Sequence, residues 1–383
     1  MPTAPPDVLT EILLEATCAC EAGALVRGAL AREDGAVRAG PARVPLAAGA
    51  RLVAVGAGKA AAHMAAAAES VLGARLSAGV VVTKDGHGAP TRIVRVLEAA
   101  HPVPDDRGVA AAAALCDAIA PLGADDLVLV LLSGGASALT ALPAAGLRLG
   151  DVQATTRALL AGGATIGEIN AVRKHLSALH GGQLALRTAA RLLVLVLSDV
   201  LGDDLSVIGS GPCVPDPSTY GDALAACARR GVALPARVRA PLAAGAAGAR
   251  PETPKPGDPR LARATHVVVG SFATLLAAAT EAAARRGLVT APLGPPQDGD
   301  VNVAAATYAA RARAAGAGVL LVGGGEPTVT LPPGAGRGGR SQQLALLMAQ
   351  ALRGRGAAFL AAGSDGTDGP TDAAGAAVDG GTW

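Results

Sequence analysis

The sequence predicts an α/β protein of two domains, each a mostly parallel sheet flanked by helices. Its 383 residues exceed the usual size of a single domain. Short runs of Val and Leu that are apolar at every position, such as Leu127–Leu132, suit parallel strands covered on both faces. These runs alternate with alanine-rich stretches whose apolar residues recur at helical spacing, the pattern expected of helices packed on a sheet.

The elements of the first predicted domain, residues 1–250, follow from these periodicities. Residues 8–30 predict a helix, because Leu9, Ile12, Leu13 and Ala16 recur at helical spacing. The other predicted elements are strands at 52–55, 79–83, 93–99, 127–132 and 192–197, and helices at 60–72, 108–119, 152–160 and 166–176.

A change in character near residues 235–260 predicts the passage to a second domain. The segment 251–259 carries four prolines, so it forms neither a helix nor a central strand. We therefore assign residues 251–383 to the second domain. Its predicted elements are strands at 266–269, 319–322 and 358–361, a hairpin arm at 328–331, and helices at 273–286, 303–314 and 342–353.

Composition excludes several classes of function. The net charge is +2 and aromatic residues make up only 1%, which argues against a nucleic-acid partner. No apolar stretch is long enough to span a bilayer, and no signal peptide is recognisable, so we expect a cytoplasmic protein without a membrane partner. The five cysteines lack paired spacing, and Cys18 and Cys20 are expected to be buried thiols on a helix.

A glycine loop with a lysine follows the first predicted strand. Gly56-Ala-Gly58-Lys59 opens an alanine-rich helix, and such a turn can hold an anion. Lys59 is one of only four lysines, which suggests that its compact ammonium is needed. The same residues satisfy a dinucleotide-binding fingerprint, and an ordinary tight turn is the third interpretation.

Two further strand ends carry polar groups. Ser133-Gly134-Gly135-Ala-Ser137 follows the strand 127–132 and predicts a cradle for phosphate or oxyanion oxygens. Asp199 follows the strand 192–197 and is suited to bind Mg²⁺ or to accept a proton from an alcohol. His101, in the stiff His-Pro-Val-Pro loop, is either catalytic or a hydrogen-bonded structural histidine.

Other candidates lie further along the chain. Lys174 is a possible ligand contact, although a solvated basic turn also accounts for the run 173–175. In the second domain, Glu326 is a predicted substrate or phosphate contact, and Arg340 at a glycine-rich helix start can clamp an anion. Asp365 and Asp368 belong either to a Mg²⁺ or substrate-hydroxyl site or to a solvent-exposed loop.

The chain resembles the glycerate 2-kinase family, whose C-terminal part is the MOFRL domain and some of whose members carry the name hydroxypyruvate reductase. The resemblance runs from about residue 50 to the end. It rests on nine ordered segments: VGAGKA, HPVPDD, LLSGGASAL, EINAVRKHLSALHGGQLA, LSDVLGDDLSVIGSGPCVPDP, ETPKPGDP, GGGEPTVT, GRGGRSQQLAL and GTDGPTDAAGAAVDG.

The resemblance implies transfer of the γ-phosphoryl group of ATP to the 2-hydroxyl of D-glycerate, with Mg²⁺ as cofactor, in a cleft between the domains. It places the catalytic lysine on Lys59 and the catalytic arginine on Arg340. It also implies small-molecule substrates as partners, and a homodimer is possible.

The sequence departs from the family pattern at three places. Ser341-Gln342-Gln343 stands where Asn-Gln-Glu is usual, and Phe272 stands where Asn is frequent. The family normally continues past the position of Trp383, so the second domain is expected to lack its usual last segment. The alternatives are an NAD(P)-dependent hydroxypyruvate reductase and a non-catalytic protein that binds a small acid or a nucleotide.

Overall fold

The computed structural model describes residues 6–332 and 334–383, which form two compact units. The central unit is Ala22–Ser271. The terminal unit comprises the residues up to Glu21 together with Phe272–Trp383.

Helices and strands alternate along most of the chain. The helices are α1 (Pro6–Ala19), α2 (Ala22–Ala29), α3 (Ala61–Leu72), α4 (Asp106–Ile119), α5 (Ala136–Leu139), α6 (Leu149–Ala161), α7 (Ile166–His175), α8 (Tyr220–Arg229), α9 (Ala236–Ala246), α10 (Phe272–Arg285), α11 (Val301–Ala314) and α12 (Arg340–Leu352). The strands are β1 (Leu30–Glu33), β2 (Ala36–Ala39), β3 (Ala42–Pro45), β4 (Leu52–Ala57), β5 (Ala78–Lys84), β6 (Val94–Ala99), β7 (Leu127–Leu132), β8 (Arg191–Leu197), β9 (Ala264–Gly270), β10 (Val289–Pro292), β11 (Val319–Val322), β12 (Ala358–Ala362) and β13 (Gly375–Asp379).

The central unit is built on a six-stranded sheet in which every neighbouring pair is parallel. The strand order is β6-β5-β4-β7-β8-β9. The chain therefore builds the sheet outward from β4 in one direction and then, from β7, in the other. In open α/β sheets, ligands bind beyond the carboxyl ends of the strands at such a reversal, which here lies between β4 and β7.

Both faces of this sheet are covered, which confirms the α/β class. Along β7, Val128 packs into the apolar cluster that contains Leu115 of α4, while Leu129 packs into the opposite cluster with Met64 of α3. All six residues of β7 are buried. Successive side chains of a strand point to opposite faces, so a strand buried on both faces is apolar throughout.

The central unit also contains elements that the sequence analysis missed. Strands β1, β2 and β3 form a small antiparallel sheet. These strands have only four residues each and carry Arg38 and Arg43, which pair with Glu33, so their hydrophobic pattern is weak. Helices α8 and α9 were also missed, although α8 begins with a capping box between Thr219 and Asp222.

The predicted domain boundary at 250/251 does not coincide with the boundary between the units. Strand β9 pairs with β8, so the central unit continues to Ser271. The proline-rich segment is part of this unit rather than a linker. Thr253 Oγ1 donates to Asp216 Oδ2 at 2.9 Å, and Tyr220 N–H donates to Glu252 Oε1 at 2.9 Å.

The predicted single helix over residues 8–30 is two helices that belong to different units. In α1, Glu15 pairs with Arg285 and Arg286 of the terminal unit. In α2, Val26 is fully buried in an apolar cluster of the central unit. The prediction that Cys18 is buried is wrong, because it lies on the exposed side of α1.

The terminal unit has helices over two separate strand pairs. Strands β10 and β11 are parallel, whereas β12 and β13 are antiparallel. Helices α11 and α12 share an apolar cluster that includes Tyr308 and Met348. The predicted hairpin arm at 328–331 is not a strand, since Thr328 makes only an isolated parallel bridge with Asp300. Among the residues described, no helix has both the length and the apolar character needed to cross a membrane.

Candidate active site

The loops after β4 and β7 are joined by hydrogen bonds at the reversal of strand order. The Lys59 N–H donates to Gly134 O at 2.8 Å, and the Ala60 N–H donates to Ser133 Oγ at 3.0 Å. Ser133 N–H in turn donates to Ala57 O at 3.1 Å. The two glycine loops that the sequence analysis identified are therefore one structural unit.

Gly56, inside β4, and Gly58, in the turn after it, both lie very close to β7 and the turn that follows β7. A Cβ on Gly56 would lie 2.4 Å from Leu131 O, and one on Gly58 would lie 2.1 Å from Ser133 Oγ. Gly58 also has a φ of +135°, which side-chain-bearing residues rarely adopt. The Gly58 N–H donates to Val82 O at 3.1 Å. Because Gly56 lies inside the buried strand β4 and the Gly58 N–H is used by Val82, we do not retain either as a ligand-binding residue.

The remaining residues of the second loop differ in their availability. Ser133 is 2% exposed and its hydroxyl accepts the Ala60 N–H, so we no longer count it among the ligand-binding residues. Gly134 and Gly135 are half-buried. Within residues 6–332 and 334–383, no group accepts a hydrogen bond from either N–H. These two amides stay the predicted cradle for anionic oxygens.

Three side chains from different strand ends meet at this turn. A Cβ on Gly134 would lie 2.0 Å from Asp199 Oδ2. A Cβ on Gly135, whose φ is +85°, would lie 3.0 Å from His101 Nε2 and 3.4 Å from Lys59 Cγ. Lys59 follows β4, His101 lies beyond β6 and Asp199 lies beyond β8. The parallel sheet thus brings together residues that are far apart in the sequence.

The charges around His101 favour a neutral imidazole. Burial lowers the pKa of His101, and the positive charges of Lys59 and Lys84, with His87, lower it further. A neutral imidazole next to an ammonium can accept or donate a hydrogen bond at neutral pH. The sequence analysis left the role of His101 open, and its position at the turn now favours a functional role.

Lys174 is occupied elsewhere. Its Nζ lies 3.2 Å from Asp216 Oδ1, and the side chains are 5% and 0% exposed. Asp216 also accepts hydrogen bonds from Ser218 and from Thr253, and the bond from Thr253 holds the proline-rich segment in place. Breaking this buried ion pair would leave an uncompensated charge. We therefore assign Lys174 a structural role in place of the predicted ligand contact.

In the terminal unit, Arg340 and Glu326 are neighbours. Arg340 donates from a terminal guanidinium nitrogen to Glu326 Oε1 at 2.9 Å, and both side chains are about half exposed. The ion pair connects the first residue of α12 to the glycine-rich turn after β11. Two residues that the sequence analysis proposed independently are thus brought together.

The predicted metal ligands Asp365 and Asp368 have different surroundings. Asp368 is 3% exposed, and its carboxylate accepts the backbone N–H groups of Ser341 at 2.9 Å and Gln342 at 2.8 Å. It caps α12, so we no longer count it as a metal ligand. Asp365 is exposed and accepts a hydrogen bond from Thr367 Oγ1 at 2.9 Å. Across the described residues, no group of three or more His, Cys, Asp or Glu side chains could hold a metal ion.

Comparisons with known proteins agree with this architecture. A family model described as a domain of unknown function, DUF4147, matches residues 8–243, and the MOFRL family model matches residues 319–383. The chain is 41% identical over 342 residues to a protein of Thermotoga maritima named D-glycerate 2-kinase, covering 87% of this chain and 79% of that protein. The chain belongs to the MOFRL glycerate kinase family.

Other members of this family are also similar. A protein of Agrobacterium vitis named "Putative hydroxypyruvate reductase" is 45% identical over 341 residues, covering 86% of this chain and 75% of that protein. The crystal structure of glycerate kinase from Thermotoga maritima matches with a TM-score of 0.83 at 36% identity, covering 98% of this chain and 87% of that one. The family resemblance inferred from nine sequence segments is confirmed.

Proposed function

We propose that this protein transfers the γ-phosphoryl group of ATP to the 2-hydroxyl of D-glycerate and so produces 2-phosphoglycerate. Membership of the glycerate kinase family supports phosphorylation of glycerate. The observation that carries the proposal is that Lys59 and Asp199 both lie against the Gly134–Gly135 turn, where the strand order reverses.

In this proposal Lys59 stabilises negative charge on the transferring phosphoryl group. Phosphoryl transfer needs little covalent chemistry from the protein, and catalysis rests on positioning and charge stabilisation. The ammonium of Lys59 supplies a compact positive charge beside the two open amides of the turn. A positioned cationic group of this kind contributes factors on the order of 10³ or more to the rate.

Asp199 is the proposed acceptor of the proton from the substrate hydroxyl, or the carboxylate that holds Mg²⁺. Mg²⁺ bound with nucleotide phosphates typically uses only one or two protein carboxylates, so an exposed carboxylate at the turn fits this ion. When bound, Mg²⁺ would neutralise charge on the β- and γ-phosphate oxygens. Asp365 stays a second proposed ligand.

Arg340 is the second proposed catalytic cation, and Glu326 is the proposed group that orients it. A carboxylate 2.9 Å from the guanidinium restricts its rotamers and leaves the remaining N–H donors for an anion. The proposal for Arg340 rests on this geometry and on the family resemblance.

The proposed reaction can be tested in one incubation. The protein is mixed with ATP, Mg²⁺ and D-glycerate, and the phosphoglycerate isomer is identified by phosphorus and proton NMR. We expect 2-phosphoglycerate that depends on all three components. Formation of 3-phosphoglycerate would contradict the regiochemistry alone, and the absence of any phosphoglycerate would contradict the reaction.

Hydroxypyruvate reduction is the second candidate, because the relative that is 45% identical is named for it. The structure offers little space for a dinucleotide at the Gly56–Gly58 turn. The Gly58, Lys59 and Ala60 N–H groups there donate to protein acceptors, and the Ser133 hydroxyl lies where a pyrophosphate would approach. Oxidation of NADH or NADPH by hydroxypyruvate, without ATP turnover on glycerate, would reverse this ranking.

A further inference from the structure

A second polar cluster begins at Ser137, two residues after the Gly134–Gly135 turn. Ser137 Oγ is 2.8 Å from Ser210 Oγ, and Ser210 Oγ donates to Asn170 Oδ1 at 3.2 Å. A terminal guanidinium nitrogen of Arg173 reaches the same Asn170 oxygen at 3.4 Å. Three contacts therefore connect Arg173, on α7, to α5, the short helix that directly follows the proposed phosphate cradle.

Arg173 is a poorly compensated cation. Within the described residues its guanidinium pairs with no carboxylate, and the long contact to Asn170 is the one hydrogen bond that the guanidinium donates. Its neighbour Lys174 is already neutralised by Asp216, and burial, with the charges of Arg173 and Lys174, lowers the pKa of His180 to about 3, so that this histidine is uncharged. A guanidinium has five donors, so most of those on Arg173 are left for another acceptor.

Burial makes this arrangement costly without an anion. Arg173 is half-buried in the last turn of α7, and burial lowers its pKa. The helix C-terminus compensates a cation only in part. Asn170 is 4% exposed, and within the described residues its Nδ2 has no hydrogen-bond partner. Buried polar groups are rarely left unpaired in proteins. Here the Asn170 amide nitrogen has no acceptor, and the adjacent Arg173 guanidinium has only the Asn170 oxygen.

We propose that Arg173 binds the carboxylate of the acid substrate, with Asn170 and Ser210 positioning its guanidinium. The inference rests on the proposed function and adds to it the group that distinguishes a hydroxy acid from a neutral alcohol. A planar guanidinium matches a carboxylate through two parallel hydrogen bonds. In a 2-hydroxy acid the carboxylate and the reacting hydroxyl are on adjacent carbons, so a carboxylate site must lie close to the phosphoryl-transfer site. The contacts from Arg173 through Asn170 and Ser210 to Ser137 agree with this requirement.

The test compares Arg173→Met and Arg173→Lys with Arg229→Met, which removes the same charge from an exposed arginine on α8. Steady-state kinetics are measured with D-glycerate varied at saturating ATP, and then with ATP varied at saturating D-glycerate. We expect Arg173→Met to raise KM for D-glycerate by about 10- to 100-fold, the size expected for lost hydrogen bonds to a charged group. KM for ATP should stay within about twofold of wild type.

The two other variants sharpen the comparison. Arg173→Lys keeps the charge but loses the planar fork, so its KM for D-glycerate should lie between those of wild type and Arg173→Met. Arg229→Met should match wild type. The melting temperature of each variant is measured to check that it folds. If Arg173→Met does not fold, the test rests on Arg173→Lys, and an unchanged KM for D-glycerate in that variant overturns the proposal.

A neutral substrate separates carboxylate binding from a general structural effect. With glyceramide in place of D-glycerate, Arg173→Met should lose little kcat/KM, because there is no carboxylate to bind. Equal losses on the two substrates would overturn the proposal, and a rise in KM for ATP alone would assign Arg173 to nucleotide phosphate instead.

The inference and the proposed function fail in distinguishable ways. If the wild-type protein phosphorylates D-glycerate but Arg173→Met keeps its KM, only the inference is wrong. If wild type shows no phosphorylation, the proposed function is wrong, and calorimetric titration of D-glycerate into both proteins then tests the inference. Binding that is equal in both, or absent from wild type, would overturn it.

Discussion

Asp199 and Asp368 look alike in the sequence, since each is an aspartate in a loop close to a predicted strand end. In the structure Asp199 is exposed at the Gly134 turn, whereas Asp368 is buried and accepts two backbone N–H groups at the start of α12. A carboxylate that satisfies helix-start amides stabilises the fold. The two residues are therefore expected to have different roles.

Replacing each aspartate by alanine should separate these roles. Asp368→Ala leaves the Ser341 and Gln342 amides without an acceptor, so we expect a loss of about 2 kcal/mol in the free energy of unfolding, with kcat close to wild type. Asp199→Ala should keep its stability and lose roughly 10²-fold or more in kcat. Urea denaturation and steady-state kinetics over a range of Mg²⁺ concentrations measure both. The assignment is wrong if Asp368→Ala is stable and requires more Mg²⁺.

Substitutions of Lys59 test whether a positive charge at this position is sufficient for catalysis. Its backbone N–H and carbonyl are both used, by Gly134 O and by the Thr83 hydroxyl, so the residue is held in place by its main chain. Substitution of the side chain should leave that framework intact.

We expect Lys59→Arg to lower kcat by about 10²-fold or more, because a planar guanidinium cannot reproduce the position of a compact ammonium. The melting temperature should stay near that of wild type. Lys59→Met, which removes the charge, serves as the reference for complete loss. Near-normal kinetics for Lys59→Arg would remove this residue from the proposed mechanism.

At the scale of elements, the β4 and β7 loops depend on each other. The strands themselves were predictable, because 52–55 and 127–132 are continuous apolar runs between glycine-rich turns. The sequence did not predict that Gly56 and Gly58 make room for β7 and the turn after it. The spacing of glycines is the same whether the backbone approaches a ligand or a neighbouring part of the protein. Only the pairing of β4 with β7 shows that these glycines approach the protein itself.

A pair of glycine substitutions measures this dependence. Gly58→Ala places a Cβ 2.1 Å from Ser133 Oγ at a φ of +135°, so we expect a loss of about 3 kcal/mol or more in stability, or failure to fold. Gly150→Ala, in α6, meets nothing within 4 Å and should be neutral or stabilising by up to about 1 kcal/mol. Denaturation curves of both variants provide the measurement. Comparable effects at the two sites would contradict this account of Gly58.

At the scale of the whole molecule, the division into units departs from the linear order of the chain. Helix α1 belongs to the terminal unit although it is the first element, and β9 belongs to the central unit although it follows the proline-rich segment. The relevant contacts are the ion pairs of Glu15 with Arg285 and Arg286, and the pairing of β9 with β8.

This division predicts which fragment folds alone. Residues 22–271 contain the complete six-stranded sheet and the apolar clusters on both of its faces, so this fragment should show a cooperative thermal transition. A fragment of residues 22–250 lacks β9 and the segment that pairs with Asp216. It should melt at a clearly lower temperature or aggregate. Circular dichroism of the two fragments tests the boundary, and equal stability would support the boundary at 250/251.

Local pattern in the sequence was sufficient for the α/β class, most helices and strands, the family and the candidate residues Lys59, Asp199 and Arg340. Hydrophobic periodicity and turn residues indicate which face of a helix or strand is buried, and both can be recognised within a short stretch of sequence. Tertiary structure decided which candidates meet. Because burial depends on residues distant in the chain, only the folded protein distinguishes the exposed Asp199 from Lys174 and Asp368, which are buried.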